Sequence, residues 1–137
     1  NAFAKYLGVD MAICYKQRKV ANQVENMTVI GDVKGKNVVI VDDMCDTAGT
    51  LTKAADLMME HSALSVRAIC THPVLSGPAY ERIANSSLQE LIVTDSIPLR
   101  TDVDTSKITV LPVHDMFAQT LRCLMANKSI SSQFTLQ

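Results

Sequence analysis

No run of about 18 apolar residues occurs in this sequence, which excludes a membrane-spanning helix of ordinary length. The first residues, NAFAKYLGVD, also lack the length and apolar stretch of a secretory signal. Neither sign of charge is in excess: Lys and Arg number 13 against 14 Asp and Glu, for a net charge of -1. That balance implies no polyanion-binding surface, so no nucleic-acid partner is expected. Cys14, Cys45, Cys70 and Cys123 form no C-x-x-C pair and show no His spacing that reads as zinc. Tryptophan is absent, yet 47% hydrophobic residues in a chain of 137 suffice for one core with flanking helices. The expectation is a soluble, cytoplasmic single domain spanning residues 1–137.

What the sequence does contain is concentrated in VVIVDDMCDTAGT, residues 38–50. The uninterrupted Val38-Val39-Ile40-Val41 predicts a strand buried on both faces, as in a parallel sheet. Asp42 and Asp43 follow where such a strand leaves the core, and ligands of open α/β sheets bind outside the carboxyl ends of strands. Asp46, Thr47, Ala48, Gly49 and Thr50 are small or hydroxylated. Their N–H groups can approach an anion closely while a helix beginning near Leu51 aims its positive end at it. Carboxylates beside a phosphate nest call for a ligand with donating hydroxyls, a Mg2+ ion, or both, and a sugar phosphate meets that description. The plainer reading has Asp46 and Thr47 cap a helix and Asp42 and Asp43 end a strand.

Along the chain, residues 1–7 read as the end of a helix stopped at Gly8, and Met11–Tyr15 as a first strand. Lys16–Met27 is polar and without periodicity, which predicts a long mobile loop or hairpin arm, with Thr28–Ile30 as a short returning strand. A helix over Leu51–His61, a buried strand over Val66–Thr71, a short helix over Ala79–Ala84 and strands at Glu90–Thr94 and Ile108–Pro112 follow. An amphipathic helix over His114–Ala126 comes last. Strands alternating with helices predict an α/β fold, a parallel sheet with helices on both faces joined by right-handed crossovers. Cys14 and Cys70 read as small core residues. Cys45 either fills a permissive loop position or has its thiol pKa lowered by nearby N–H groups. Asp102 and Asp104 read as a solvated loop and only weakly as a metal pair, and His61 and His114 as helix-terminal. His72 either reaches the site or packs at a sheet edge.

The VVIVDDMCDTAGTL segment resembles the ribose 5-phosphate and phosphoribosyl pyrophosphate signature of type I phosphoribosyltransferase folds, and most resembles the ribose-phosphate pyrophosphokinases. THPVLSGPAYERI (residues 71–83), and the basic Tyr15-Lys16-Gln17-Arg18 with its loop up to Val29-Ile30-Gly31, resemble the same family. The likeness covers about residues 1–134 and rests on three separated motifs in family order. It implies a Rossmann-like, type I phosphoribosyltransferase-like domain in which Asp42 and Asp43 orient ribose hydroxyls and Asp46 to Thr50 hold the 5-phosphate. It also implies that Lys16 and Arg18 are the catalytic basic pair, with Arg18 touching substrate. Gln17 departs from the pattern, since many relatives carry another basic residue there.

The resemblance further implies transfer of the diphosphoryl group of ATP to the 1-hydroxyl of ribose 5-phosphate, giving phosphoribosyl pyrophosphate and AMP, with Mg2+ as cofactor. Asp42 and Asp43 are candidate metal ligands, the main ones being expected in an amino-terminal half that this chain lacks. On that reading the chain is the carboxy-terminal part of a hexameric, homo-oligomeric enzyme and does not turn over alone. Ser129, Ser131 and Phe134 resemble a terminal segment that helps bind regulatory phosphate or ADP, the plainer alternative being a frayed polar tail. A non-catalytic, synthetase-associated regulatory protein and a base phosphoribosyltransferase are the competing functions. Lys16 and Arg18 speak against the first, and THPVLSG against the second.

Overall fold

The computed structural model describes residues 2–17 and 26–134, which fall into two compact units. The first, residues 1–11 with 112–137, contains helix α1 (Ala2–Leu7), helix α4 (His114–Met125) and a single 3-10 turn at Ser131–Gln133. The second, residues 12–111, holds two sheets and helices α2 (Gly49–Glu60) and α3 (Ala79–Asn85). No helix among the described residues is long and apolar enough to cross a membrane.

Four strands, β3 (Asn37–Cys45), β4 (Ser65–Pro73), β5 (Glu90–Thr94) and β6 (Ile108–Leu111), form a parallel sheet in the order β3-β4-β5-β6. Each parallel pair needs a crossover, and α2 and α3 supply those between β3 and β4 and between β4 and β5. The register sets Val38 beside Val66, Ala68 beside Leu91 and Cys70 beside Val93. Val66, Ala68, Cys70, Leu91 and Val93 are buried with Leu51, Ala55 and Met58 of α2 and Ile83 of α3. Burial of this apolar surface at roughly 25 cal/mol per Å² is the main force holding the unit together.

The sheet is not buried on both faces at β3. Val39 and Val41 are about half exposed while Val38 and Ile40 pack on the core, and on β4 Arg67 and Ile69 are exposed where Val66 and Ala68 are buried. Strand side chains alternate between faces, so an all-apolar run is compatible with one covered face as well as two. β3 is an edge of this four-stranded sheet, and the core of the unit meets it on the side of Val38 and Ile40.

The first predicted strand also sits elsewhere. β1 (Ile13–Gln17) pairs antiparallel with β2 (Asn26–Ile30) in a separate two-stranded sheet, with Tyr15 opposite Thr28 and Lys16 opposite Met27. Lys16 is therefore a strand residue near the end of this antiparallel pair, in keeping with the hairpin-arm alternative and not the loop. Backbone ladders need no apolar periodicity, which is why so polar a segment pairs here. Arg18 lies outside the described residues.

Candidate functional site

β3 runs four residues beyond its apolar core, through Asp42, Asp43 and Met44 to Cys45. Parallel pairing carries it there: Asp42 lies beside Cys70, Met44 beside His72 and Cys45 beside Pro73. Asp42, Asp43 and Met44 are exposed, whereas Cys45 is buried. Asp42 Oδ1 accepts the Asp43 N–H at 2.9 Å, which leaves its other oxygen and both of Asp43's facing solvent. The strand thus delivers two carboxylates to the carboxyl edge of the sheet, where the sequence placed them.

The loop from Asp46 to the start of α2 is not capped in the plain manner. The residue that precedes α2 is Ala48, and no side chain bonds the free N–H groups of the first turn. Neither Asp46 nor Thr47 acts as the cap. Ala48 instead adopts a left-handed conformation, φ 57 and ψ 2, a state that costs a residue with a Cβ about 1 kcal/mol or more. A left-handed residue just before a helical turn curls successive N–H groups into a concave nest suited to an anion. The N–H groups of Thr47, Gly49, Thr50 and Leu51 have no hydrogen-bond partner among the described residues, while that of Ala48 is directed at the Cys45 thiol. Asp46, Thr47 and Thr50 are exposed, Gly49 is half-buried and Ala48 is buried, so the nest opens to solvent while its floor is packed.

The carbonyl side of the same loop is fully engaged. Cys45 O accepts Leu75 N–H at 3.0 Å, Asp46 O accepts Ser76 N–H at 3.1 Å, and Thr47 O accepts Arg82 Nη1 at 2.9 Å. Ala48 O accepts both the N–H and the hydroxyl of Thr52, each at 2.9 Å. Ser76 Oγ also donates to Asp46 Oδ1. Neither Ser76 nor Arg82 is marked as a site residue by the sequence; the only available sign was that both lie within the THPVLSGPAYERI motif.

Cys45 is not a loop residue but the buried end of β3, and burial, with smaller contributions from Cys70 and nearby acids, pushes its thiol up to about 12. Burial likewise raises Cys14 and Cys70, so all three behave as small core residues. His72 Nδ1 lies 3.0 Å from Ser96 Oγ, and Ser96 Oγ and Thr94 Oγ1 both donate to Thr71 O, an exposed cluster at the ends of β4 and β5. Asp102 is engaged by Arg100 through two bonds of 3.0 and 2.6 Å, and Asp104 accepts Ser106 N–H at 2.8 Å. The Arg100 hydrogen bond lowers the Asp102 pKa, and the Ser106 N–H lowers that of Asp104. The Asp102–Asp104 pair is thus a self-satisfied loop. Among the described residues no group of three His, Cys, Asp or Glu side chains converges as a metal centre.

In the other unit, Ser129 Oγ donates to Ser131 Oγ at 2.8 Å and accepts Ser131 N–H at 3.1 Å, and Phe134 is exposed. A shallow groove of about 350 Å³ between α2 and α3, bordered by Thr52, Asp56, Glu81 and Arg82, lies along the helices and not at the strand ends. The Asp42–Thr50 edge, which this groove does not include, is the better candidate because carboxylates and free N–H groups meet there.

Fold and loop together define an α/β domain that presents two acids and an uncapped helix start at the carboxyl edge of a parallel sheet. The chain belongs to the family described as the phosphoribosyl synthetase-associated domain, whose model matches residues 9–135. It is 53% identical over 132 residues to a ribose-phosphate pyrophosphokinase of Helicobacter hepaticus, covering 96% of this chain and 42% of that protein. It is 52% identical over 134 residues to the protein of the same name from Campylobacter jejuni, covering 98% of this chain and 43% of that one. The crystal structure of phosphoribosylpyrophosphate synthetase from Mycobacterium smegmatis superposes with a TM-score of 0.82 at 38% identity, over 91% of this chain and 40% of that one. The chain therefore spans about two fifths of the length of these relatives.

Proposed function

We propose that this chain supplies the ribose 5-phosphate site and the basic catalytic pair of a longer ribose-phosphate diphosphokinase. That enzyme moves the diphosphoryl group of ATP onto the 1-hydroxyl of ribose 5-phosphate and releases phosphoribosyl pyrophosphate and AMP. The observation that carries this reading is the passage of the acidic end of β3 directly into an uncapped nest at the start of α2. The names of the similar proteins support it.

Asp42 and Asp43 accept hydrogen bonds from ribose hydroxyls, and the N–H groups of Asp46 to Thr50 with the Thr47 and Thr50 hydroxyls hold the 5-phosphate. Lys16, on β1, and Arg18 supply positive charge where oxygens crowd during diphosphoryl transfer, a contribution that grows once water is expelled. The exposed Asp42 and Asp43 oxygens are hard donors that fit Mg2+, which takes one or two carboxylates and fills its shell with water and phosphate oxygens. Bound there, Mg2+ would neutralise polyphosphate charge. The wider reading is of the carboxy-terminal, single phosphoribosyltransferase-like domain of a cytoplasmic, hexameric enzyme, inactive when isolated, with Ser129, Ser131 and Phe134 serving regulatory anion binding.

The test uses a protein of the relatives' length carrying this chain, assayed for AMP formation from ATP and ribose 5-phosphate. Asp42→Ala should weaken sugar binding and lower the rate together, because it removes an acceptor already used before reaction. Lys16→Ala should lower turnover about a hundredfold with ribose 5-phosphate affinity little changed, and Arg18→Ala should fall between the two. Near-normal turnover of the Lys16→Ala protein would contradict the reading and favour a regulatory protein.

A further inference from the structure

We infer that Arg82 of α3, working with Ser76, is a positioning residue that holds the anion nest in its binding conformation from behind. The inference rests on the sugar-phosphate reading of the loop and adds to it residues from a different element. Four successive carbonyls, from Cys45 to Ala48, point at hydrogen-bond donors of the protein: Leu75 N–H, Ser76 N–H, Arg82 Nη1 and the Thr52 N–H and hydroxyl. In a planar trans peptide the C=O and the following N–H point in opposite directions. The described chain has no cis peptide. Fixing those four carbonyls therefore turns the N–H groups of Asp46, Thr47 and Gly49 away from the donors, towards the open side of the loop, while the Ala48 N–H is held inward on the Cys45 thiol.

Three of the four ties are backbone-to-backbone or local to α2. The Thr47 carbonyl alone depends on a distant side chain, since Arg82 is 35 residues along the chain and donates at 2.9 Å. Thr47 O belongs to the peptide whose N–H is that of Ala48, the residue held left-handed at φ 57. An unfavourable conformation persists only where the surroundings impose it, and the Arg82 bond restrains the peptide just before it. The guanidinium also explains the glycine that follows. A Cβ on Gly49 would stand 3.1 Å from Arg82 Nη1 and 3.7 Å from Cζ, so Gly49 leaves space for the arginine. Its own φ is not in the left-handed region, so backbone freedom is not what requires it. Ser76 completes the restraint through its N–H to Asp46 O and its hydroxyl to the Asp46 carboxylate.

The test titrates this chain with ribose 5-phosphate by calorimetry and records its amide spectrum without ligand. Arg82→Ala should raise the dissociation constant about tenfold, the scale of one charge-assisted hydrogen bond. Arg82→Lys, which keeps charge and one donor, should recover affinity to within about threefold of the unaltered chain. In the ligand-free spectrum, Arg82→Ala should move the amide signals of Thr47, Ala48 and Gly49 while those of Leu91 and Val93 in the core stay in place. If the alanine variant loses its core signals, Arg82→Gln is read in the same two ways. Affinity within twofold of the unaltered chain, or lost affinity with unmoved loop amides, overturns the positioning role alone. No binding by the unaltered chain overturns the sugar-phosphate reading and this inference with it.

Discussion

Gly49→Ala separates stability from binding, because its two consequences for the fold nearly cancel. Alanine in place of glycine favours a helix by about 0.5–1 kcal/mol, less at the first helical residue, where Gly49 stands. Against this, the new Cβ meets Arg82 Nη1 at 3.1 Å. The end of a long, exposed arginine can retreat, at the cost of its bond to Thr47 O, worth about 1 kcal/mol. Net stability should change by less than about 1 kcal/mol, a shift in Tm of a few degrees for a chain of this size. Binding has no such compensation. Once Arg82 withdraws, the Thr47 carbonyl is free, the left-handed Ala48 that shapes the loop loses a restraint, and affinity for ribose 5-phosphate should fall about tenfold, or about 1.4 kcal/mol. Thermal unfolding followed by circular dichroism and calorimetric titration measure the two quantities on the same samples. A stability loss above about 3 kcal/mol, or affinity unchanged within twofold, would refute this account of Gly49.

Gly49→Val adds two methyl groups to the same crowded space and should abolish measurable ribose 5-phosphate binding by calorimetry. Leu91→Ala empties a fully buried position on β5 and should cost about 2–5 kcal/mol in urea unfolding; a loss below 1 kcal/mol would place Leu91 outside the core. Cys45, its thiol raised to about 12 by burial, should resist alkylation at pH 8 in the native protein and react on unfolding. Its folded pKa lies above the unfolded one, so its neutral-thiol stabilisation is complete below about pH 8.5 and is lost as pH rises towards 12. Urea midpoints across that range should fall less steeply for Cys45→Ala.

Much of the candidate site was legible because strand ends and small-residue loops leave local marks. VVIVDD announced an apolar strand ending in acids, and DTAGT announced a loop whose backbone an anion can approach; β3 and α2 place them at the sheet's carboxyl edge. The burial of β3 was less legible, since Val38 to Val41 read the same whether one face or two are covered, and only the strand order reveals an edge. The left-handed Ala48 was hidden because glycine, not alanine, signals that conformation. Arg82 and Ser76 were hidden for another reason. Their partners lie 35 and 30 residues away, a separation that no local period encodes. For Lys16 the sequence left a loop and a hairpin arm open, because backbone pairing needs no apolar rhythm, and the pairing with Met27 decides between them.

Whether the site is built for a phosphorylated sugar is decided by titrating this chain with ribose 5-phosphate and, separately, with ribose. Free N–H groups at an uncapped helix start favour an anion, whereas Asp42 and Asp43 alone engage hydroxyls. Ribose 5-phosphate should bind measurably, with ribose at least tenfold weaker. Equal affinity for the two would contradict the sugar-phosphate reading.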